Sequence, residues 1–289
     1  MFPNLHCHLD GSLRASTVLD LSGRLDLPLP ADLAFYPGMG LEEALSRFAF
    51  TLSLLRTPEA VARVASEICE DAQADGVTTL EVRFAPQLHG PIEPFVQAAL
   101  EGLNGRAGLI LCALYGEEPS VALELAAQPG IVGLDLAGGP ASFHRFGMRH
   151  YAAAFSLARE RGLGRTVHAG EGRPPAEIGV AIEVLHANRI GHGTTLLEDE
   201  DILALVLERG VTIEACPTSN WHVGAIDRLE DHPLPRWLEL GVRACVNPDN
   251  TLLSRVSASG EHARARSLPG MTAELLERAV AHGHAGAFS

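Results

Sequence analysis

The sequence predicts an α/β fold, a closed (β/α)8 TIM barrel with additional helices over the C-terminal mouth of the barrel. Two observations support this fold: eight strand-like segments alternate with helical segments, and several strands are apolar throughout, as in Gly108–Leu114. No linker or composition shift divides the 289 residues, so we expect one domain over residues 1–289. An open doubly wound sheet with the same order of elements is the alternative.

The predicted elements follow one another in a regular order. The clearest helical stretch is 41–74, where apolar residues recur at spacings of three and four, and Thr57 with Pro58 marks a second helix start within it. The predicted strands are 5–8, 77–84, 108–114, 131–136, 165–168, 189–192, 211–216 and 242–247. The predicted helices are 16–25, 41–56, 57–74, 91–105, 119–127, 146–161, 174–186, 198–209 and 233–240, with further helices to the end of the chain.

Composition narrows the classes of partner. A net charge of −14 argues against a nucleic-acid partner, which normally requires a basic face, and favours a small-molecule ligand. The sequence contains no apolar run of the roughly 20 residues that a membrane span needs, and its first residues do not resemble a secretory signal. The five cysteines have no paired spacing, which indicates a cytoplasmic location. No oligomeric state is indicated, and a monomer is compatible with the sequence.

The absence of lysine excludes whole classes of chemistry. All 22 basic residues are arginine. A Schiff-base mechanism requires a lysine amine, and so does a metal centre bridged by a modified lysine. Neither is available to this chain.

Polar side chains collect at the predicted C-terminal ends of the strands, where barrels of this class carry their active sites. On the first strand, alternation points His6 and His8 to the same side. Closure of the barrel would place Asp249, at the end of strand eight, beside them, and His168 across the mouth. Three imidazoles and one carboxylate around an open position form a catalytic zinc-type arrangement.

For each residue alone, an ordinary structural role is the competing explanation. Single histidines are usually surface or core residues, and we expect no function for the nine that lie away from strand ends. Glu171 could simply stabilise the start of the next helix. Because it follows His168 by three residues in a glycine-flanked turn, we favour a catalytic role. His192, at the end of strand six, is assigned to the same site.

Five motifs occur in an order that resembles a known family. They are His6-Cys-His-Leu-Asp-Gly-Ser12, His168-Ala-Gly-Glu171, Arg189-Ile-Gly-His-Gly193, Cys216-Pro-Thr-Ser-Asn220 and Asn247-Pro-Asp-Asn250. Together they resemble the motifs of the adenosine deaminase family of metal-dependent amidohydrolases. Each motif alone is moderately specific, and the ordered set covers nearly the whole chain.

The resemblance implies one Zn²⁺ per chain and a set of site residues. The zinc ligands would be His6, His8, His168 and Asp249. In catalysis, Glu171 would donate a proton to purine N1, and His192 would hold the attacking water beside Asp249. The substrate would contact His8, Asp10 at the ribose 5′-hydroxyl, the Gly138 backbone at N3, Asn250 at N7, and Phe48 in a lid formed by residues 41–56.

Several positions depart from the family pattern and leave the substrate open. Asn250 stands where a second aspartate is usual, and Pro248, Ala85 and Gly139 replace the common threonine, serine and acidic residue. An amide donates N–H directly, so Asn250 is compatible with purine N7. The expected activity is hydrolytic deamination of a purine nucleoside, adenosine or 2′-deoxyadenosine.

Other functions remain open at this point. Within the same chemistry, the alternatives are a modified nucleoside, such as aminodeoxyfutalosine or an N6-methylated adenosine, and free adenine. A non-catalytic nucleoside-binding protein would be expected to lack a ligand or Glu171, and neither is missing. The missing lysine counts against a binuclear hydrolase. Polynucleotide deaminases use a Pro-Cys-x-x-Cys motif, which Cys216-Pro217 does not match.

Overall fold

The computed structural model describes all 289 residues and confirms the (β/α)8 barrel. Eight parallel strands pair in sequence order, from β1 to β8, with helices between them. The order of pairing has no reversal, so an open doubly wound sheet is excluded. The strands are β1 Phe2–Asn4, β2 Val77–Phe84, β3 Gly108–Leu114, β4 Gly133–Ala137, β5 Gly164–Ala169, β6 Arg189–His192, β7 Thr212–Ala215 and β8 Arg243–Val246.

The first strand differs from its prediction. Regular pairing ends at Asn4, and the predicted strand 5–8 contributes only isolated bridges, from Cys7 to Asp249 and from His8 to Arg83. The backbone N–H of Asp249 donates to the carbonyl of His6 at 3.0 Å, and that of His8 donates to the carbonyl of Asp249 at 2.9 Å. The barrel therefore closes through the backbone of three predicted metal ligands, His6, His8 and Asp249.

The helices lie close to their predicted positions, with one exception. The segment after β7, expected to be a loop, forms the short helix α9, because Pro217 provides the fixed φ that suits a first helical position. The helices are α1 Ala15–Leu25, α2 Leu41–Leu54, α3 Pro58–Ala74, α4 Ile92–Leu103, α5 Pro119–Ala127, α6 Ala152–Glu160, α7 Ala176–Glu183, α8 Glu200–Arg209, α9 Pro217–His222, α10 Leu234–Glu239, α11 Ala258–Arg266 and α12 Ala273–Gly286.

Two apolar cores support the barrel and its mouth. A cluster of 62 buried residues joins the outer faces of the strands to the surrounding helices. A smaller cluster of Phe35, Met39, Ala44 and Leu253 anchors α2 over the C-terminal mouth, with Phe48 packed against it. This confirms the additional helices over the mouth. None of the helices combines the length and apolar character that crossing a membrane would require.

Candidate active site

A cavity of about 340 Å³ opens at the C-terminal ends of the strands, beneath α2. Its volume falls within the range of small-molecule sites. All but one of the predicted site residues line this cavity: His8, Asp10, Phe48, Gly138, His168, Glu171, His192, Asp249 and Asn250. The exception, His6, is fully buried behind it. The structure thus brings the whole predicted set together.

The four predicted metal ligands present their donor atoms to one point. His8 Nε2 lies 3.3 Å from the Nε2 atoms of both His6 and His168. Asp249 Oδ1 lies 3.4 Å from His6 Nε2 and 3.5 Å from His8 Nε2. Four atoms bound tetrahedrally to zinc at about 2.0–2.1 Å are separated by about 3.3–3.4 Å. The side chains therefore fit a single divalent ion.

Buried carboxylates orient two of these imidazoles. His6 Nδ1 donates to Glu214 Oε2 at 2.7 Å, and His168 Nδ1 donates to Asp135 Oδ1 at 3.1 Å. With the protons held on Nδ1, both Nε2 lone pairs face the metal position. This arrangement is the usual support for histidine ligands of metals.

Cys216 lies close to the same ligands without fitting their role. Its sulfur lies within 4.8 Å of donor atoms of His6 and Asp249. Burial, together with the negative charges of Asp249 and Glu214, raises the pKa of the Cys216 thiol well above its usual value. The thiol donates to the Glu214 carbonyl at 3.6 Å, so we assign it to packing.

An ion-pair network under the metal position holds the two supporting carboxylates. The fully buried guanidinium of Arg83 donates to Asp135 Oδ2 at 2.9 Å and to Glu214 Oε2 at 2.8 Å. Burial opposes ionisation of Glu214, but Arg83 and Arg189 outweigh it and hold its pKa well below the usual value. Sequence reasoning gave no role to Arg83 or Glu214. The signal for them in the sequence is a charged residue within a predicted strand, Arg83 in Val77–Phe84 and Glu214 in Thr212–Ala215.

Loss of charge at Asp135 should weaken metal binding without removing it. In Asp135→Asn, the amide oxygen can still accept from His168 Nδ1, but the amide N–H then faces Arg83 Nη1, so the hydrogen bond from Arg83 is lost. The His168 imidazole loses a negatively charged partner, so its Nε2 becomes a poorer electron-pair donor to the metal. We expect zinc affinity to fall by about 10–100-fold, measured by competition with a chromophoric chelator. Unchanged affinity would show that the Asp135 charge does not contribute to the site.

Two site residues have left-handed backbone conformations that only a tightly constrained loop retains. His192 has φ +70° and Asp249 has φ +63°. Such conformations cost on the order of 1–3 kcal/mol for residues other than glycine and concentrate at functional sites. His192 is the last residue of β6 and Asp249 lies in the loop after β8, and both side chains line the cavity.

Glu171 has the properties of a neutral carboxylic acid. Its side chain is 5% exposed, and burial raises its pKa to about 7. Asn220 Nδ2 donates to Glu171 Oε1 at 3.1 Å, whereas the nearest cation, Arg173 Nη1, lies 4.0 Å from Oε2.

His192 lies between Glu171 and the metal ligands. Its ring centroid is 5.0 Å from those of His6 and His168. Asn220 Nδ2 lies 3.0 Å from His192 Nδ1, and burial lowers the pKa of His192 well below its usual value. The sequence motif contained Asn220, but nothing in the sequence showed that it contacts both catalytic candidates.

Two further residues of the cavity lining, Asp10 and Asn250, have buried polar atoms without a hydrogen-bond partner. Asp10 is buried, its Oδ1 has no hydrogen-bond partner, and burial raises its pKa to about 7. Asn250 Oδ1 packs so closely against Gly11 that a Cβ there would lie 2.0 Å from it. The Nδ2 end of the Asn250 amide is therefore the end left for a ligand.

The cavity walls are suited to a flat ring. One face of α2, formed by Leu41, Ala44, Leu45, Phe48 and Leu52, lines the cavity at helical spacing. Gly138, which also lines the cavity, follows β4 with φ +77°, and its N–H donates to no group of the protein. An aromatic ligand could stack under α2 and accept a hydrogen bond from this N–H.

Comparison with known proteins agrees with this geometry. The family described as Adenosine deaminase matches residues 3–289. Adenosine deaminase of Clostridium acetobutylicum is 33% identical over 99% of this chain and 92% of its own length. Adenine deaminase from Arthrobacter aurescens is 26% identical with a TM-score of 0.90, over 100% of this chain and 94% of that one. N6-mAMP deaminase from Arabidopsis, 23% identical with a TM-score of 0.87, covers 100% and 93% and shares the fold.

Proposed function

The chain belongs to the adenosine deaminase family, whose members are hydrolytic aminohydrolases, and from this premise we propose that it deaminates a 6-aminopurine nucleoside. The products would be the 6-oxo purine nucleoside and ammonia. The observation that carries the proposal is a buried carboxylic acid, Glu171, in the same cavity as a four-donor metal site. Adenosine and 2′-deoxyadenosine are the proposed substrates.

Zinc is the metal that these residues fit, with His6, His8, His168 and Asp249 as its ligands. When bound, it supplies a hydroxide near neutral pH, since coordination lowers the pKa of water from about 15.7 to about 7. We propose one ion per chain, because the groups of candidate donor atoms overlap at His6.

The chain's own residues prepare the purine for attack at C6. Protonated Glu171 donates to N1, which removes electron density from C6 and makes the ring accept a nucleophile. The Gly138 N–H and the Asn250 amide orient the ring at N3 and N7. Phe48 and the rest of the α2 face exclude water. His192 donates to the oxygen that adds to C6 and stabilises its developing charge.

Asp10 supports a nucleoside in preference to free adenine or a nucleotide. Its buried, unpartnered Oδ1 offers an acceptor for a sugar hydroxyl. Adenine has no group for that atom, and a 5′-phosphate would meet a carboxylate of like charge. Free adenine and a nucleotide are the substrates in the names of the two solved structures, adenine deaminase and N6-mAMP deaminase.

A substrate panel with an Asp10→Asn variant tests this assignment. The zinc-loaded enzyme is compared on adenosine, 2′-deoxyadenosine, adenine, AMP, N6-methyladenosine and aminodeoxyfutalosine by ultraviolet absorbance. A hydrogen bond to a charged group contributes about 1.5–3 kcal/mol, so Asp10→Asn should lower kcat/KM for adenosine by about 10–150-fold. Activity on adenine should not change. Equal losses on adenosine and adenine would contradict the sugar contact, and no turnover of any adenine compound would contradict the proposed reaction.

The pH profile should reflect Glu171, which acts when protonated, and Asp10, which acts when ionised, together with the ionisation of the attacking water. Burial raises the pKa of both Glu171 and Asp10 to about 7. Glu171 acts as the protonated acid, so kcat/KM for adenosine should fall as pH rises above about 7. Asp10 accepts a hydroxyl as a carboxylate, so kcat/KM should also fall below about 7. In Asp10→Asn the acidic limb should become shallower, because only ionisation of the water remains in it, while the alkaline limb stays. An acidic limb of unchanged steepness would contradict the assignment.

A further inference from the structure

Asn220 bridges the proposed acid Glu171 and His192, and a contact with His232 sets the orientation of its amide. The amide Nδ2 lies 3.1 Å from Glu171 Oε1 and 3.0 Å from His192 Nδ1. On the other side, Asn220 Oδ1 lies 3.3 Å from His232 Nε2. All four side chains are buried.

The backbone N–H of Leu234 fixes which group donates in each hydrogen bond that Asn220 makes. The N–H of Leu234 points at His232 Nδ1 at 3.1 Å, which requires a lone pair on that nitrogen. Burial lowers the pKa of His232 to about 3, so the ring is neutral and carries its one proton on Nε2. That proton is donated to Asn220 Oδ1. The two N–H bonds of Nδ2 are then directed to Glu171 and His192.

We propose that His232 and Asn220 form a positioning relay that places the protons of Glu171 and His192 on the atoms that Asn220 does not contact. Since Glu171 Oε1 accepts from the amide, the acid proton is placed on Oε2. Since His192 Nδ1 accepts as well, the neutral imidazole carries its proton on Nε2. A flipped Asn220 amide would require a proton on His232 Nδ1, where the Leu234 N–H already points.

The relay gives His192 a defined task in the proposed reaction, on which this inference rests. An imidazole with its proton on Nε2 is a hydrogen-bond donor toward the reaction centre and cannot also be the base that removes a proton there. Glu171 and His192 would both be donors before the substrate arrives. Neither Asn220 nor His232 touches the substrate, so both are positioning residues.

Nuclear magnetic resonance of the zinc-loaded enzyme with ¹⁵N-labelled histidine tests the relay without any substrate. Long-range proton–nitrogen correlations distinguish the two tautomers of each ring. We expect His192 and His232 both to carry the proton on Nε2. Assignments use His192→Gln and His232→Gln. A proton on Nδ1 of either ring would overturn the proposal, whereas a wrong substrate assignment would leave this spectrum unchanged.

Kinetics of three variants supply a second test. Asn220→Asp replaces the donor with a carboxylate; kcat should fall by about 10²-fold with little change in KM, as for loss of a preorganised donor. The new charge beside Glu171 should raise the pKa of that acid, moving the alkaline limb to higher pH.

The His232 variants separate the relay from simple packing. His232→Leu should lower kcat about 10-fold, because the amide is no longer held. His232→Gln can accept from the Leu234 N–H and donate to Asn220 Oδ1, so it should restore most of that loss. Equal kcat in the two His232 variants, or an unshifted profile in Asn220→Asp, would contradict the relay. Zinc content and melting temperature confirm that each variant is folded.

Discussion

Glu171→Gln is expected to lose about 10³-fold in kcat on adenosine while retaining its zinc. An amide has the shape of the acid and can hydrogen-bond to N1, but it cannot transfer a proton. The interaction that is lost develops only as C6 is attacked, so KM should change little. Initial rates from ultraviolet absorbance give kcat, and elemental analysis of the same protein sample gives the zinc content.

The comparison variant is Glu208→Gln, which makes the same change at a side chain 76% exposed on the far side of α8. It should leave kcat, KM and zinc content as they are in the unchanged protein. A Glu171→Gln enzyme within tenfold of the original kcat would show that another group protonates N1. Loss of zinc in Glu171→Gln would instead show that Glu171 supports the metal site.

Much of the fold and the first layer of the site could be predicted, because both depend on local patterns. Apolar runs and helical spacings gave the strands and helices, and polar residues at strand ends gave the ligands and Glu171. The structure places His6, His8, His168 and Asp249 at the mutual distances of metal ligands, as expected from their positions on strands one, five and eight. Their assigned roles remain predictions.

The residues that support the metal ligands and Glu171 could not be predicted, because their contacts join residues far apart in the chain. His6 and Glu214 are separated by 208 positions, and Glu171 and Asn220 by 49. A charged residue in an apolar strand indicates that a partner exists but not which residue it is. His232 looked like an ordinary histidine in the sequence. Its contact with Asn220 depends on the helical turn of α9, which had been predicted as a loop.

Replacing a metal ligand should have the largest effect of all. In His168→Ala, the site keeps two imidazoles and Asp249, and Asp135 loses the N–H that it accepts. We expect zinc content well below one per chain after dialysis, and loss of activity beyond the 10–100-fold expected when only a ligand's support is weakened. Three donors leave the coordination shell incomplete, so less of the bound ion is retained.

The matched control is His150→Ala, since His150 is exposed and outside the cavity. It removes the same side chain and should leave zinc content and kcat unchanged. Added zinc should restore part of the His168→Ala activity if the only defect is affinity, and none if His168 also orients the attacking hydroxide. Full activity of His168→Ala without bound metal would show that the reaction needs no metal-activated hydroxide. It would then contradict the roles proposed here for the four ligands, Glu171 and His192.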